Sequence, residues 1–159
     1  MTQRRRWLAL FVENDVGVLA EISGLFAGKA YNLDSLTVGV TADETVSRMT
    51  VCLRSDDALF EQIKKQLNRN VNVIKVVDMT DDFYEENELA YFRVNASGSD
   101  ARDALADIVS RYGLRILDAR TDGMLLQSVN SFERTGELVK ELTRLDRAVE
   151  VVRGGSVVI

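Results

Sequence analysis

Hydrophobic residues in this chain change their spacing in a fixed order, and the order occurs twice. Residues 7–12 form a short apolar run between Arg6 and the polar Glu13-Asn14-Asp15, the pattern of a strand buried on both faces. Leu19, Ile22, Leu25 and Phe26 then recur at helical spacing, and Gly28 is placed to end that helix. Residues 31–40 alternate, with Leu36, Val38 and Val40 against Thr37, Gly39 and Thr41. After a polar turn at 41–45, residues 47–54 alternate again, with Met49, Val51 and Leu53 on one side. Asp56 can cap a helix whose stripe is Phe60, Ile63 and Leu67, and residues 71–79 supply a fourth strand.

The second half repeats the series. Residues 89–96 read as a strand, and Ser99 or Asp100 can cap a helix carrying Leu105, Ile108 and Tyr112 that Gly113 ends. Residues 115–120 and 124–130 form a hairpin across Thr121-Asp122-Gly123, because Asp-Gly suits a tight turn. Thr135 can cap the next helix, and residues 148–153 form the last strand before Gly154-Gly155 and a short apolar tail. Strand, helix, strand, strand, helix, strand is the split βαβ arrangement. The expectation is an α+β chain of two ferredoxin-like βαββαβ domains, residues 1–79 and 89–159, joined by a solvated acidic linker at 80–88. Units of about 80 residues are small for domains. With both helices on one face, each sheet leaves its other face in need of cover, which points to a homodimer.

Composition removes several functions. The net charge of −5 and a pI near 4.9 argue against nucleic acid as a partner, and Arg4-Arg5-Arg6 is too short to reverse that. Cys52 is the single cysteine, so neither an internal disulfide framework nor a Cys-rich zinc site can form, and a reducing cytoplasm fits. No apolar run approaches the ~20 residues a membrane span needs, and the amino end lacks a signal-peptide layout. Histidine is absent, which removes the commonest general base and metal ligand.

No catalytic constellation is left. Cys52 has no histidine partner, and no GxGxxG or Walker loop occurs. Other uses of the fold fail on particular residues. The first strand-to-helix turn is Asn14-Asp15-Val16-Gly17, without the arginine an acylphosphatase needs to hold phosphate or the paired cysteines of a metal chaperone. Residues 47–54 carry no aromatic side chain for base stacking. What remains is a small-molecule binding module. A turn of Asn, Asp and Gly that opens a helix leaves its first N–H groups unpaired at the positive end of the helix dipole. Such a pocket suits a carboxylate. Gly17 lets a ligand come close, and Asn14 can donate and accept. The competing reading is that Asn14 or Asp15 caps the helix and Gly17 only relieves a turn.

The stretches VENDVGVLAEISGLFAGKAYNLDSLTVGVT, VSRMTV and EQIKKQLNRNVNVIKV, in this order, resemble the regulatory small subunits of acetohydroxyacid synthase, also called acetolactate synthase. The likeness is strongest over the first half; in the second it rests on topology, the Ala96-Ser97-Gly98 turn and the VEVVRGG ending. The resemblance implies that the first half is an ACT domain pairing side by side with a second copy. It implies a branched-chain amino acid (valine, leucine or isoleucine) at the interface, held by Asn14, Asp15, Val16, Gly17 and Val18, with Asn32 facing them. It also implies a catalytic large subunit as partner, holding thiamine diphosphate, Mg²⁺ and FAD, with no cofactor in this chain. The family's glycine before the Tyr-Asn pair is Ala30 here, which puts the outline of the pocket in question. The alternative is a stand-alone tandem ACT-type sensor acting on another protein.

Overall fold

The computed structural model describes residues 3–28, 31–82 and 85–159, so the Ala30 departure lies outside the described residues. Two compact units form, Met1–Glu85 with Val157–Ile159, and Glu86–Ser156. Both have the expected βαββαβ order.

In the first unit the elements are β1 (Arg4–Glu13), α1 (Val18–Gly28), β2 (Leu33–Val40), β3 (Val46–Ser55), α2 (Asp57–Leu67) and β4 (Val73–Asp78). The sheet runs β2-β3-β1-β4, antiparallel at each step. β1 and β3 pair along their whole length, from Arg4 opposite Ser55 to Glu13 opposite Val46, which leaves β2 and β4 as edges. Leu8, Leu10, Val12, Met49, Val51 and Leu53 from one sheet face meet Val18, Ile22 and Phe26 of α1 and Phe60, Ile63 and Leu67 of α2. Trp7, Ala9, Thr50 and Cys52 on the opposite face are buried too, so β1 is enclosed on both sides as its unbroken apolar run implies. Leu19 does not join the core. The helix begins at Val18, which takes the core position and turns Leu19 outward. Asp56 caps α2 as expected, accepting from the Leu59 N–H at 2.9 Å. β4 starts at Val73, two residues later than its apolar run, because residues 68–72 turn back on themselves through Asn70.

The second unit contains β5 (Glu86–Asn95), α3 (Ser99–Tyr112), β6 (Arg115–Ala119), β7 (Gly123–Asn130), α4 (Phe132–Leu145) and β8 (Glu150–Val158). Its sheet runs β6-β7-β5-β8. Phe92, Val94, Leu105, Ile108, Leu126, Leu138 and Leu142 form the centre of its core.

Four expectations need correction here. The acidic stretch is not solvated throughout: β5 begins at Glu86, and the Glu86 and Glu88 side chains are buried. The Arg153 Nε donates to Glu88 at 2.9 Å, and Glu86 accepts the Phe132 N–H at the start of α4 at 3.0 Å. A buried carboxylate needs such a partner. Neither Ser99 nor Asp100 caps α3; the cap position is Gly98, at φ +95°. Ser131, not Thr135, caps α4, and Thr135 is buried within the helix. β8 runs on through Gly154-Gly155 instead of stopping at Arg153. A Cβ on Gly154 would come within 3.2 Å of the Leu89 carbonyl oxygen, so these glycines permit a close strand crossing and do not break it. Gly113 ends α3 in the left-handed conformation, as its position implied.

Candidate functional site

β1 ends at Glu13, and the chain turns through Asn14–Gly17 into α1 at the same end of the sheet as the β2–β3 turn. The Asn14 N–H donates to the Thr45 carbonyl at 2.7 Å, and its Nδ2 donates to the Glu44 carbonyl at 2.8 Å. The Ser47 hydroxyl donates to Asn14 Oδ1 at 2.9 Å. Asn14 is therefore not the helix cap. Its amide is held in one orientation against the β2–β3 turn, leaving one N–H and one lone pair to offer a ligand.

The turn is closed by the Val18 N–H on the Asp15 carbonyl, 3.3 Å, and helical bonding starts with Glu21 N–H to Gly17 carbonyl, 2.9 Å. The Leu19 and Ala20 amides belong to the first turn, where an α-helix has no internal acceptor. Gly17 sits at φ +95°, and a Cβ built there meets nothing within 4 Å. Glycine is thus favoured by the backbone conformation, while the space beside it is open. Asp15 and Val16 are exposed; Val18 points into the core, so only its backbone faces the turn.

The neighbouring turn is itself braced. Asp43 Oδ1 accepts from the Thr45 hydroxyl at 2.7 Å and from its N–H at 3.0 Å. These bonds, the hydroxyl's first, hold the Asp43 carboxyl below its ordinary pKa of 3.8.

Asn32 lies elsewhere. It immediately precedes β2, whose Leu33 pairs with Leu53, seven positions along β3 from Val46. At about 3.4 Å per residue, roughly 24 Å of strand separates the Asn32 end from the Asn14 end. Asn32 is exposed and lines a shallow cavity of about 330 Å³ with Tyr31, Asp34 and Arg54. One chain brings Asn14 to Gly17 together and leaves Asn32 apart. Glu44, Thr45 and Ser47, which orient Asn14, were missed as site residues; the Ser-Arg-x-Thr pattern at Ser47 was the available signal. Among the described residues no cluster of side chains could hold a metal ion, and no helix is long and apolar enough to cross a membrane.

Comparison with known proteins covers both units. The family described as AHAS small subunit-like ACT domain matches residues 8–75, and the family described as small subunit of acetolactate synthase matches residues 87–159. The acetolactate synthase small subunit of Aquifex aeolicus is 34% identical over 97% of this chain and 80% of its own length. That of Haemophilus influenzae is 34% identical over 95% of this chain and 92% of its own. The crystal structure of the small subunit from Thermotoga maritima superposes with a TM-score of 0.85 at 25% identity, covering 98% of this chain and 96% of that one.

Proposed function

This chain belongs to the acetolactate synthase small-subunit family, and on that premise we propose that it is a non-catalytic regulatory subunit. It activates a separate catalytic subunit, which holds thiamine diphosphate, Mg²⁺ and FAD, and it confers feedback inhibition by a branched-chain amino acid, valine first. The effector's carboxylate docks on the amides at the start of α1, and Asn14 takes a polar contact.

The observation that carries this reading is the placement of β2. It is an edge strand, with Val38 and Val40 exposed, and it lies one strand from β3 and two from β1. In a two-fold dimer, edge-to-edge pairing of β2 is antiparallel. The Asn32 end of one copy then lies beside the Val40 end of the other. Val40 pairs with Ser47, which holds Asn14. At about 4.8 Å per strand, three spacings place the partner copy's Asn32 strand roughly 14 Å from the β1 end that carries Asn14. Two asparagine side chains with a small amino acid between them fill that gap. The separation of Asn14 and Asn32 within one chain is thus what a site shared between two copies requires. Half-exposed Leu19, turned away from the core, supplies apolar lining beside the turn.

Effector binding favours one arrangement of the dimer, and the catalytic subunit responds through that difference in affinity. A coupling of ~1–3 kcal/mol is enough for useful inhibition. Calorimetry with valine, leucine and isoleucine, followed by a reconstituted assay with the catalytic subunit, tests the proposal. Binding of valine together with valine-sensitive activation supports it. Binding without any effect on a catalytic subunit favours the stand-alone sensor.

A further inference from the structure

The open face of the second sheet carries a cavity of about 470 Å³ at the end where β6 and β7 join. We propose that this cavity binds a small zwitterion, a carboxylate and an ammonium a few atoms apart with an apolar remainder, of which an aliphatic α-amino acid is the simplest. The inference concerns the second unit alone and does not depend on the site at Asn14.

Strand register builds the cavity. Arg93 of β5 stands opposite Leu125 of β7, and Leu125 stands opposite Asp118 of β6, so the three share one sheet face in one row. In the next row Asn95 lies opposite Gly123, and the Arg120 N–H closes the hairpin on the Gly123 carbonyl at 2.8 Å. β7 is therefore the floor of a trough whose walls rise from β5 and β6, about two strand spacings or ~10 Å apart. Gly123 gives that floor no side chain. A Cβ there would sit 2.6 Å from the Val94 carbonyl oxygen, so the hairpin can press this closely on β5 only with glycine. Leu125 supplies an apolar base beside it.

The walls carry both signs of charge. Arg93 contributes a guanidinium from one side and Arg120 from the other, while Asp118 and Asp122 contribute carboxylates. Two cations and two anions line the cavity, and Glu150 beside Arg93 adds a third carboxylate, which disfavours phosphates and other polyanions and suits a ligand that brings an ammonium along with its carboxylate. The guanidiniums are paired already, Arg93 with Glu150 at 2.9 Å and Arg120 with Asp118 at 2.8 Å. Those pairs are exposed, hence weak, and each guanidinium keeps further N–H donors. A ligand carboxylate can share the N–H donors the guanidiniums keep, and its ammonium can meet the Asp118 and Asp122 carboxylates.

The test is an amide-resolved NMR titration of the full chain carrying Gly17→Asp, a change expected to weaken the first-unit site, whose own amides are read apart from those of the second unit. Leucine is compared with its two halves, 4-methylpentanoate and isopentylamine. Leucine is expected to give saturable shifts at the Arg93, Gly123 and Leu125 amides, with each half at least about tenfold weaker. Arg120→Gln is expected to weaken leucine about tenfold or more, the value of a charged hydrogen bond, with the shifts it causes in the free protein confined to amides around the β6–β7 hairpin. Absence of saturable shifts at those amides overturns the proposal. So do halves that bind as well as leucine, or an Arg120→Gln chain that binds unchanged. Valine-sensitive activation by the unmodified chain is read separately, so either reading can fail alone.

Discussion

Replacing Gly17 separates the two things the first turn is asked to do. Its φ of +95° places any other residue in a conformation costing roughly 1–3 kcal/mol, yet no atom lies within 4 Å of a Cβ built there. Strain is therefore the only stability cost of Gly17→Ala, and Gly17→Asp shares it. Against the 5–15 kcal/mol typical of a folded domain both variants stay folded, and the melting temperature falls by about 4–8 °C per kcal/mol for a unit this small. The difference between the variants lies in charge. An aspartate beside the amides competes for them and repels an effector carboxylate, removing charged hydrogen bonds of about 1.5–3 kcal/mol, or roughly 10- to 100-fold in affinity. Calorimetry with valine on the wild type and both variants measures this directly, with thermal melts as the control. The expected order is wild type, then Ala, then Asp weaker than Ala by at least about tenfold. Equal affinity of the Ala and Asp variants would show that no carboxylate docks at this turn.

Other outcomes follow from the same geometry. Ser47→Ala removes the donor to Asn14 Oδ1 and is expected to weaken valine binding by about 0.5–1.5 kcal/mol, measured by calorimetry. Valine affinity should be flat between pH 6 and 8, since the chain has no histidine and the turn offers only amides. At acid pH the Asp43 brace fails: its carboxyl is held below 3.8 by Thr45. Its contribution is therefore complete above that value and lost as pH falls through the depressed one, seen as amide broadening at residues 43–47. In the second unit, Arg153→Ala strands the buried Glu88 carboxylate, and denaturant unfolding should show a loss of order 3 kcal/mol. Combining it with Glu88→Leu should restore much of that loss.

Sequence patterning carried the architecture because each half alternates period-two and helical stripes in the same order, and every core side chain of β3 and α2 falls where its spacing puts it. What it could not carry was competition between neighbouring groups. Ser131 and Thr135 are both good caps, and only packing shows that Thr135 is enclosed while Ser131 stands at the helix start. Glu86 and Glu88 look like solvent charges until α4 and Arg153 arrive from far along the chain to partner them. At the candidate site, Gly17 was legible as a special backbone position, whereas Asn14 reads from its residues alone more readily as a cap than as a ligand until Ser47 and Glu44 are seen to hold it. Asn32 stands out only by resemblance, since nothing within one chain brings it near the turn.

A site shared between two copies makes one demand that no site within a chain makes. Asn14→Ala and Asn32→Ala chains, each a poor binder of valine alone, can be unfolded together, refolded as mixed dimers and titrated by calorimetry. In a mixed dimer one of the two sites carries both substitutions and the other carries neither. The account predicts that mixing restores wild-type affinity at one site per mixed dimer. Affinity that stays as low in the mixture as in either parent would contradict it.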